Sequence, residues 1–215
     1  VQNAAELLAK TRNPLIIVGD RVSQSPGAPH MVARLSEQLG APVYATSFSE
    51  VHIPSSHPHY MGPFETSWLD FHMKTLFDES DAILAIGTDM LIQFIPTPEP
   101  PFSGMPKVVH VDSSDWAIQR SYPVAAGLLS DIGAGLEEVS QALDDLMPAT
   151  AKDAARARGE LLGLQKQKNC ETFQARVRER WSNLPISPER FAAEIAAALP
   201  PDALVCDDSI TNRGV

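Results

Sequence analysis

The chain has 215 residues, of which 44% are hydrophobic and 20% charged, and its formal net charge is −10 at pH 7. An acidic chain of ordinary globular composition disfavours nucleic acid and anionic membranes as partners, because both attract basic surfaces. No apolar run approaches the roughly 20 residues that span a bilayer. The first segment, VQNAAELLAK, has no features of a secretion signal, and the two cysteines are far apart, so we expect a cytoplasmic protein with reduced thiols.

Short apolar runs that alternate with amphipathic segments predict an α/β fold over the first two thirds of the chain. Such an alternation forms βαβ units with right-handed crossovers. We therefore expect a Rossmann-like open parallel sheet of about five to six strands, flanked by helices. The predicted strands are NPLIIVG (13–19), APVYAT (41–46), DAILAIGTD (81–89), KVVHVD (107–112) and VAAGLLSD (124–131).

Three helices are predicted between and after these strands. Residues 27–40 carry apolar side chains at helical spacing, and a second helix is expected near 67–77. A third helix begins after Asp131, whose carboxylate suits the N-cap position. Residues 47–65 are expected to form a long irregular loop. The side chains expected to point inward from the second helix are Leu69, Met73 and Leu76.

The composition of the chain changes twice along its length. We expect a first domain over 1–147, with 7 Lys and Arg against 18 Asp and Glu, and a helical linker over 148–186, with 8 against 4. Residues 187–215 then predict one helix, capped by Ser187, and one strand. A lone helix and strand cannot bury their apolar sides, so we expect the truncated start of a further domain. The apolar face of this helix comprises Phe191, Ile195 and Leu199.

Several motifs occur in an order that resembles a known family. They are a His-Pro pair at 57–58 followed by Gly62, the pattern Asp-x5-Gly-Thr at 81–88, and VDSSDW at 111–116. In this order they resemble the central domain of thiamine-diphosphate-dependent enzymes, a family that includes the acetolactate synthases and benzoylformate decarboxylase. The resemblance covers 1–147, and the rest of the chain is similar to the linker and the first helix and strand of the pyrophosphate-binding domain.

The resemblance implies a longer parent enzyme with three domains. Its N-terminal domain would carry the activating glutamate, and its C-terminal domain would hold Mg²⁺ and the diphosphate through a Gly-Asp-Gly…Asn motif; neither element is in this sequence. The implied partners are therefore the missing N- and C-terminal domains. The parent would be a homodimer or homotetramer with thiamine diphosphate and Mg²⁺ between subunits. No cofactor is expected in the fragment itself.

Two functions follow from these observations. In the first, the chain is a structural, catalytically inert fragment of a 2-keto acid decarboxylase or carboligase, so no catalytic residue and no metal ligand is assigned. The absence of flavin-type features favours the benzoylformate decarboxylase-like members over true acetolactate synthases. In the second, the chain is a standalone regulatory module that binds a nucleotide such as NAD, FAD or ADP.

A nucleotide would lie at the carboxyl ends of the strands, where open parallel sheets bind ligands. The resemblance disfavours FAD, because VGDRVSQSPG has an acid after its first Gly and GTDMLIQFIP has Asp89 where a base would meet phosphates. An adenine nucleotide remains open, beside the alternative that these glycines only end strands and these acids only cap turns and helices. The candidate nucleotide-binding residues are Gly19, Asp20, Gly62, Gly87, Thr88, Asp112, Ser113 and Asp131.

Two further polar clusters carry weaker expectations. His52, His57 and His59 lie close in sequence, but without a nearby Cys or an evident fourth ligand they do not predict a metal site. The turn Asp207, Asp208 and Ser209 follows the last predicted strand, and the family resemblance places it near the active site of the parent.

Overall fold

A computed structural model describes residues 1–46, 52–63, 71–90, 104, 106–120, 122–200, 202–203 and 205, without the side chains of 71–73. The chain falls into two compact units, Val1–Gly163 and Leu164–Val215. The domain boundaries expected after residues 147 and 186 concern the parent enzyme and stay predictions.

The first unit is built on a six-stranded, fully parallel sheet with strand order β3-β2-β1-β4-β5-β6. The predicted Rossmann-like α/β fold is confirmed. The chain moves outward from β1 to β3 and then returns to the other side of β1, so the topological switch point lies between β1 and β4. The strands are β1 Pro14–Val18, β2 Val43–Ala45, β3 Tyr60–Pro63, β4 Ala82–Ile86, β5 Lys107–Asp112 and β6 Ala126–Leu129.

Helices cover both faces of the sheet. Every residue of β1 and β4 is buried, which explains why both strands are continuous apolar runs rather than alternating patterns. Ile16 and Val18 pack with α1, α2 and α4 on one face, whereas Leu15 and Ile17 pack towards Phe77 of α3 on the other. The helices of this unit are α1 Gln2–Ala9, α2 Ala28–Leu39, α3 Phe71–Glu79 and α4 Ile132–Leu146.

Two elements of the first unit were not predicted. The segment expected to be an irregular loop contains β3, a half-exposed edge strand whose Gly62 and Pro63 are typical of turns. Helix α1 was also missed, although Ala4, Ala5 and Leu8 are buried. The helix expected near 67–77 corresponds to α3, where Leu76 packs inward; Leu69 and the side chain of Met73 lie outside the described parts.

A long helix, α5 Ala149–Glu179, lies within the residues for which a helical linker is expected. In the second unit, α6 Pro188–Ala198 begins at Ser187, whose hydroxyl oxygen accepts a hydrogen bond from the Arg190 N–H at 3.3 Å, as predicted for the cap. The three side chains of the predicted apolar face of α6 are all exposed to solvent. The exposed fractions on that face are 60% for Phe191, 38% for Ile195 and 39% for Leu199.

None of the helices in the described ranges combines the length and the apolar character needed to cross a membrane.

Candidate functional site

The crevice at the switch point is closed by two glycines in contact. The Gly19 N–H donates to the Ile86 carbonyl at 3.0 Å, and the Gly87 N–H donates to the Val111 carbonyl at 2.9 Å. A Cβ on Gly19 would lie 2.4 Å from the Gly87 carbonyl oxygen, and Gly87 has φ +56°. Only glycine allows this approach and this backbone angle at low cost. The two predicted glycines therefore bring the ends of β1 and β4 together.

Arg21 occupies the space above these glycines. It lies in a short 3₁₀ helix, Asp20–Gln24, that follows β1. Its Nε and Nη2 atoms donate to the two carboxylate oxygens of Asp112 at 2.8 and 2.9 Å, and Nη2 also donates to Asp89 at 3.0 Å. One guanidinium thus holds the carboxylates that follow β4 and end β5. Paired, planar hydrogen bonds of this kind are among the strongest in proteins.

Asp112 is the most enclosed member of this ion-pair cluster. Its side chain has no solvent exposure, accepts from the Ser114 N–H at 2.9 Å and lies 3.3 Å from His110 Nε2. Burial raises the pKa of Asp112, but the hydrogen bonds from His110 and Arg21 outweigh it, so the net pKa is lowered. Burial lowers the pKa of Arg21, and Asp112 and Asp89 outweigh it in turn. Both groups are therefore charged at neutral pH.

A second polar network lies at the start of α4. The Asp131 carboxylate accepts from the Ala134 N–H at 3.0 Å, which confirms its predicted role as N-cap. Ser25, which the sequence did not single out, donates to Asp131 at 2.9 Å and accepts from the Gly133 N–H at 2.9 Å. These hydrogen bonds, first that from Ala134, lower the pKa of Asp131. The carboxylate is thus held as an anion at a site where a phosphate would need to bind.

The remaining space at this edge is small. A cavity of about 160 Å³ lies between Arg21, Ser25, Ser113 and Asp131. Pockets for small molecules start at roughly 300 Å³, and a diphosphate would meet the carboxylate of Asp131 there. Within the described ranges, the volume of this cavity is smaller than a nucleotide or thiamine diphosphate requires.

The structure brings together most, but not all, of the predicted nucleotide-binding residues. Asp20 is exposed at the start of the 3₁₀ helix, Thr88 is buried and accepts from the Met90 N–H at 3.0 Å, and Gly62 lies apart on the outer strand β3. The turn 207–209 lies outside the described residues. The predicted nucleotide-binding residues that lie at the carboxyl ends of β1, β4, β5 and β6 are Gly19, Asp20, Gly87, Thr88, Asp112, Ser113 and Asp131.

Sequence reasoning missed Arg21, which organises this edge. The signal was present, because Asp89 and Asp112 both follow buried strands and a buried carboxylate requires a partner. Arg21 is also the first basic residue after β1. The predicted candidates were glycines, acids and hydroxyls, without the cation that neutralises the acids.

The three histidines of residues 52–59 contact protein groups. His57 Nε2 lies 3.2 Å from Glu37, and His59 Nδ1 lies 3.3 Å from the Ser36 hydroxyl, so both attach the segment before β3 to α2. The rings of His57 and His59 lie 5.2 Å apart, edge to face. Across the described ranges, no group of three or more His, Cys, Asp or Glu side chains is arranged to hold a metal ion.

Comparison with known proteins identifies the family of this unit. The family model "Thiamine pyrophosphate enzyme, central domain" matches residues 1–139. The chain belongs to this family. The match contains the whole six-stranded sheet and the first turns of α4.

Several similar proteins are longer than this chain. The probable 2-ketoarginine decarboxylase AruI of Pseudomonas aeruginosa is 29% identical over 95% of this chain and 33% of its own length. Sulfoacetaldehyde acetyltransferase of Rhodobacter capsulatus is 29% identical over 100% of this chain and 38% of its own length. The crystal structure of benzoylformate decarboxylase from Polynucleobacter necessarius shares the fold, with a TM-score of 0.57 and 24% identity over 66% of this chain and 26% of that chain. The chain thus spans about a third of the curated relatives that it matches.

Proposed function

We propose that this thiamine-diphosphate-enzyme central domain is a structural part of a 2-keto acid decarboxylase or carboligase and has no turnover by itself. The observation that carries the proposal is the ion-pair cluster Arg21–Asp112–Asp89 at the switch point. With Arg120, whose Nη1 lies 3.4 Å from the Asp89 carboxylate, the cluster balances its own charges and occupies the crevice in which a Rossmann-like sheet binds ligands. A domain with this arrangement stabilises the enzyme that contains it and leaves the chemistry to other domains.

The proposed partners are the other domains of the parent. The exposed apolar face of α6 and the exposed Trp181 and Leu184, at 42% and 91%, supply surface that a C-terminal domain would cover. The resemblance implies that the parent holds thiamine diphosphate and Mg²⁺ between subunits of a homodimer or homotetramer. The benzoylformate decarboxylase-like members are favoured over the acetolactate synthases, because Asp89 follows Thr88 where flavin-type relatives place a base.

A nucleotide-binding module is the second candidate, and one observation favours it. The strand order β3-β2-β1-β4-β5-β6 is that of dinucleotide-binding folds. Against it stand the small volume of the cavity beside Arg21 and the carboxylate of Asp131 that borders it. A nucleotide phosphate that paired with Arg21 would compete with Asp112 and would leave a buried carboxylate without its cation.

Two measurements on the purified chain test the proposal. The first supplies thiamine diphosphate and Mg²⁺ with benzoylformate or pyruvate and measures CO₂ release, which we expect to equal that of the protein-free control. The second titrates ADP, NAD and FAD by calorimetry, and no saturable binding is expected. Turnover would contradict the assignment as an inert domain, and tight binding of one nucleotide would favour the second candidate.

A further inference from the structure

The first unit has a second and larger cavity at the opposite, amino edge of its sheet. Its volume is about 220 Å³. It lies where α1 ends and the chain turns into β1, and where α4 ends and α5 begins. Main-chain and side-chain groups of Thr11 and Thr150 border it, and Met147 and Ala154 provide apolar surface.

Three cationic side chains line this amino-edge cavity. Lys10 and Arg12 are exposed residues that follow α1, and Arg158 lies within α5. This clustering contrasts with the rest of the first 147 residues, in which acids outnumber bases by more than two to one. Three positive charges around one opening create a local potential that attracts small anions.

Arg158 is fixed in place by the backbone. Its Nη2 donates to the Leu39 carbonyl at 2.5 Å and its Nε faces the Gly40 carbonyl at 3.4 Å, so it caps the end of α2. Burial lowers the pKa of Arg158, and the Asp81 carboxylate opposes that effect. Asp81 itself accepts from the Arg12 and Asn13 N–H groups at 2.7 and 3.0 Å. The Asp81 carboxylate near Arg158 thus already accepts hydrogen bonds from two backbone N–H groups. A bound anion would therefore add negative charge beside the Arg158 guanidinium.

The start of α5 adds to the same positive field, whereas the carboxyl ends of α1 and α4 at this opening carry partial negative charge that the three cations offset. Thr150 lies in the first turn of this 31-residue helix and borders the cavity. The amino end of a helix carries a partial positive charge and has unpaired N–H groups, which favour an anion nearby. Cations from two separate segments and a helix start thus surround one opening that also has apolar surface.

We propose that the amino-edge cavity binds the carboxylate or phosphate group of a small organic molecule. Lys10 and Arg12 meet the charged group from the open side, and Arg158 and the first turn of α5 meet it from within. Met147 and Ala154 contact the apolar part of the ligand. The volume admits a group of a few atoms and excludes a whole nucleotide.

The test is an NMR titration of the isotope-labelled full chain. Inorganic phosphate and benzoate are the two probes, each compared with sodium chloride at equal ionic strength. We expect saturable shifts of the Thr11, Thr150 and Ala151 amides, and a decrease in affinity of about tenfold in the double variant Lys10→Gln, Arg12→Gln. The matched control is Arg176→Gln, Arg178→Gln, which removes the same charge from the far end of α5 and leaves the affinity unchanged.

A second variant separates a bounded site from diffuse attraction. Ala154→Phe keeps every charge and fills the cavity, so it should abolish saturable binding of both probes while the chain stays folded. Saturation by phosphate alone assigns a phosphate ligand, and saturation by benzoate alone assigns a carboxylate. Shifts that never saturate, equal losses in the 176/178 control, or undiminished binding in Ala154→Phe would each overturn the proposal.

Discussion

The charged side chains are arranged differently at the carboxyl edge of the sheet, where the strands end, and at the amino edge, where the strands begin. At the carboxyl edge, Arg21 is held between Asp112 and Asp89 and closes the crevice of the switch point. At the amino edge, Lys10 and Arg12 are exposed around an open cavity, and Arg158 bonds backbone carbonyls instead of a carboxylate. The edge that the fold favours for ligands is neutralised internally, whereas the other edge leaves its cations accessible.

This difference shows why the fold alone does not locate a binding site. The strand order fixes where a crevice forms, because two neighbouring connections leave the sheet in opposite directions. Whether the crevice accepts a ligand depends on side chains that fill or line it. In this chain Arg21 lies at the switch point and pairs there with Asp112 and Asp89.

The largest expected loss of stability concerns Arg21 at the carboxyl edge. Arg21→Met keeps the length of the side chain but leaves the Asp112 carboxylate buried with only His110 and the Ser114 N–H. Breaking a buried pair on one side costs about 3 kcal/mol, so urea unfolding should show a loss of that order in the free energy of unfolding. The double variant Arg21→Met, Asp112→Asn should recover most of the loss, because no buried charge remains.

The matched control for Arg21 is Arg34→Met. Arg34 also pairs with a carboxylate, that of Asp144 at 3.1 Å, but both side chains are 50% exposed. Exposed pairs contribute about 0.5 kcal/mol or less, so the free energy of unfolding of this variant should be almost the same as that of the unsubstituted chain. Similar losses in the two variants would show that burial does not distinguish the carboxyl edge from the surface.

The second prediction concerns pH, because the acids of the carboxyl edge and the histidines elsewhere in the unit affect stability in different pH ranges. The pKa values of Asp112 and Asp131 are lowered, so their stabilisation is complete above the usual carboxyl pKa of about 4 and is lost only below it. Burial lowers the pKa of His52 from 6.5 to about 4. Because the unfolded chain then binds the proton first, stability should fall as the pH drops from about 6.5 towards 4, by about 2 kcal/mol between pH 7 and pH 5.

Two histidine variants check the origin of this loss. His52→Phe removes the titrating ring, whose Nδ1 has no hydrogen-bond partner among the described residues, and should flatten the stability profile between pH 7 and pH 5. His30→Gln removes an exposed histidine and should leave the profile as it is. If both variants keep the full decline, the acid sensitivity lies with another histidine such as His59, whose pKa is also lowered by burial, and not with His52.

Much of this architecture could be predicted from the sequence. PLIIV and AILAI are apolar at every position because helices cover both of their faces, so their strands were evident. Asp131 and Ser187 stand directly before apolar periodic segments and were recognised as caps. Strand β3 was missed, because its turn-forming residues are tolerated only at the edge of a sheet, which is a tertiary property.

The charge arrangement could be predicted less well. Arg21 and Asp112 are separated by 91 positions in the chain, and no local pattern pairs them. The cations of the amino-edge cavity come from residues 10–12 and from α5, which meet only because α4 returns the chain to that edge. Periodicity identifies strands and helices, but it does not show which distant side chains share one cavity.

The smallest expected effect tests whether the two edges are independent. Asp89→Asn keeps the shape of the side chain and removes one of the two carboxylates on Arg21, while Asp112 still holds the guanidinium. Asp89 is 26% exposed, so the loss of unfolding free energy should be about 0.5 kcal/mol. The affinity of the amino-edge cavity for phosphate should not change, because the five residues of β1 separate the edges by about 16 Å at 3.3 Å per residue, beyond the range at which substitutions usually couple. A change in phosphate affinity as large as that caused by Lys10→Gln, Arg12→Gln would mean that the field of the whole acidic unit, and not the three cations at the cavity, governs binding at the amino edge.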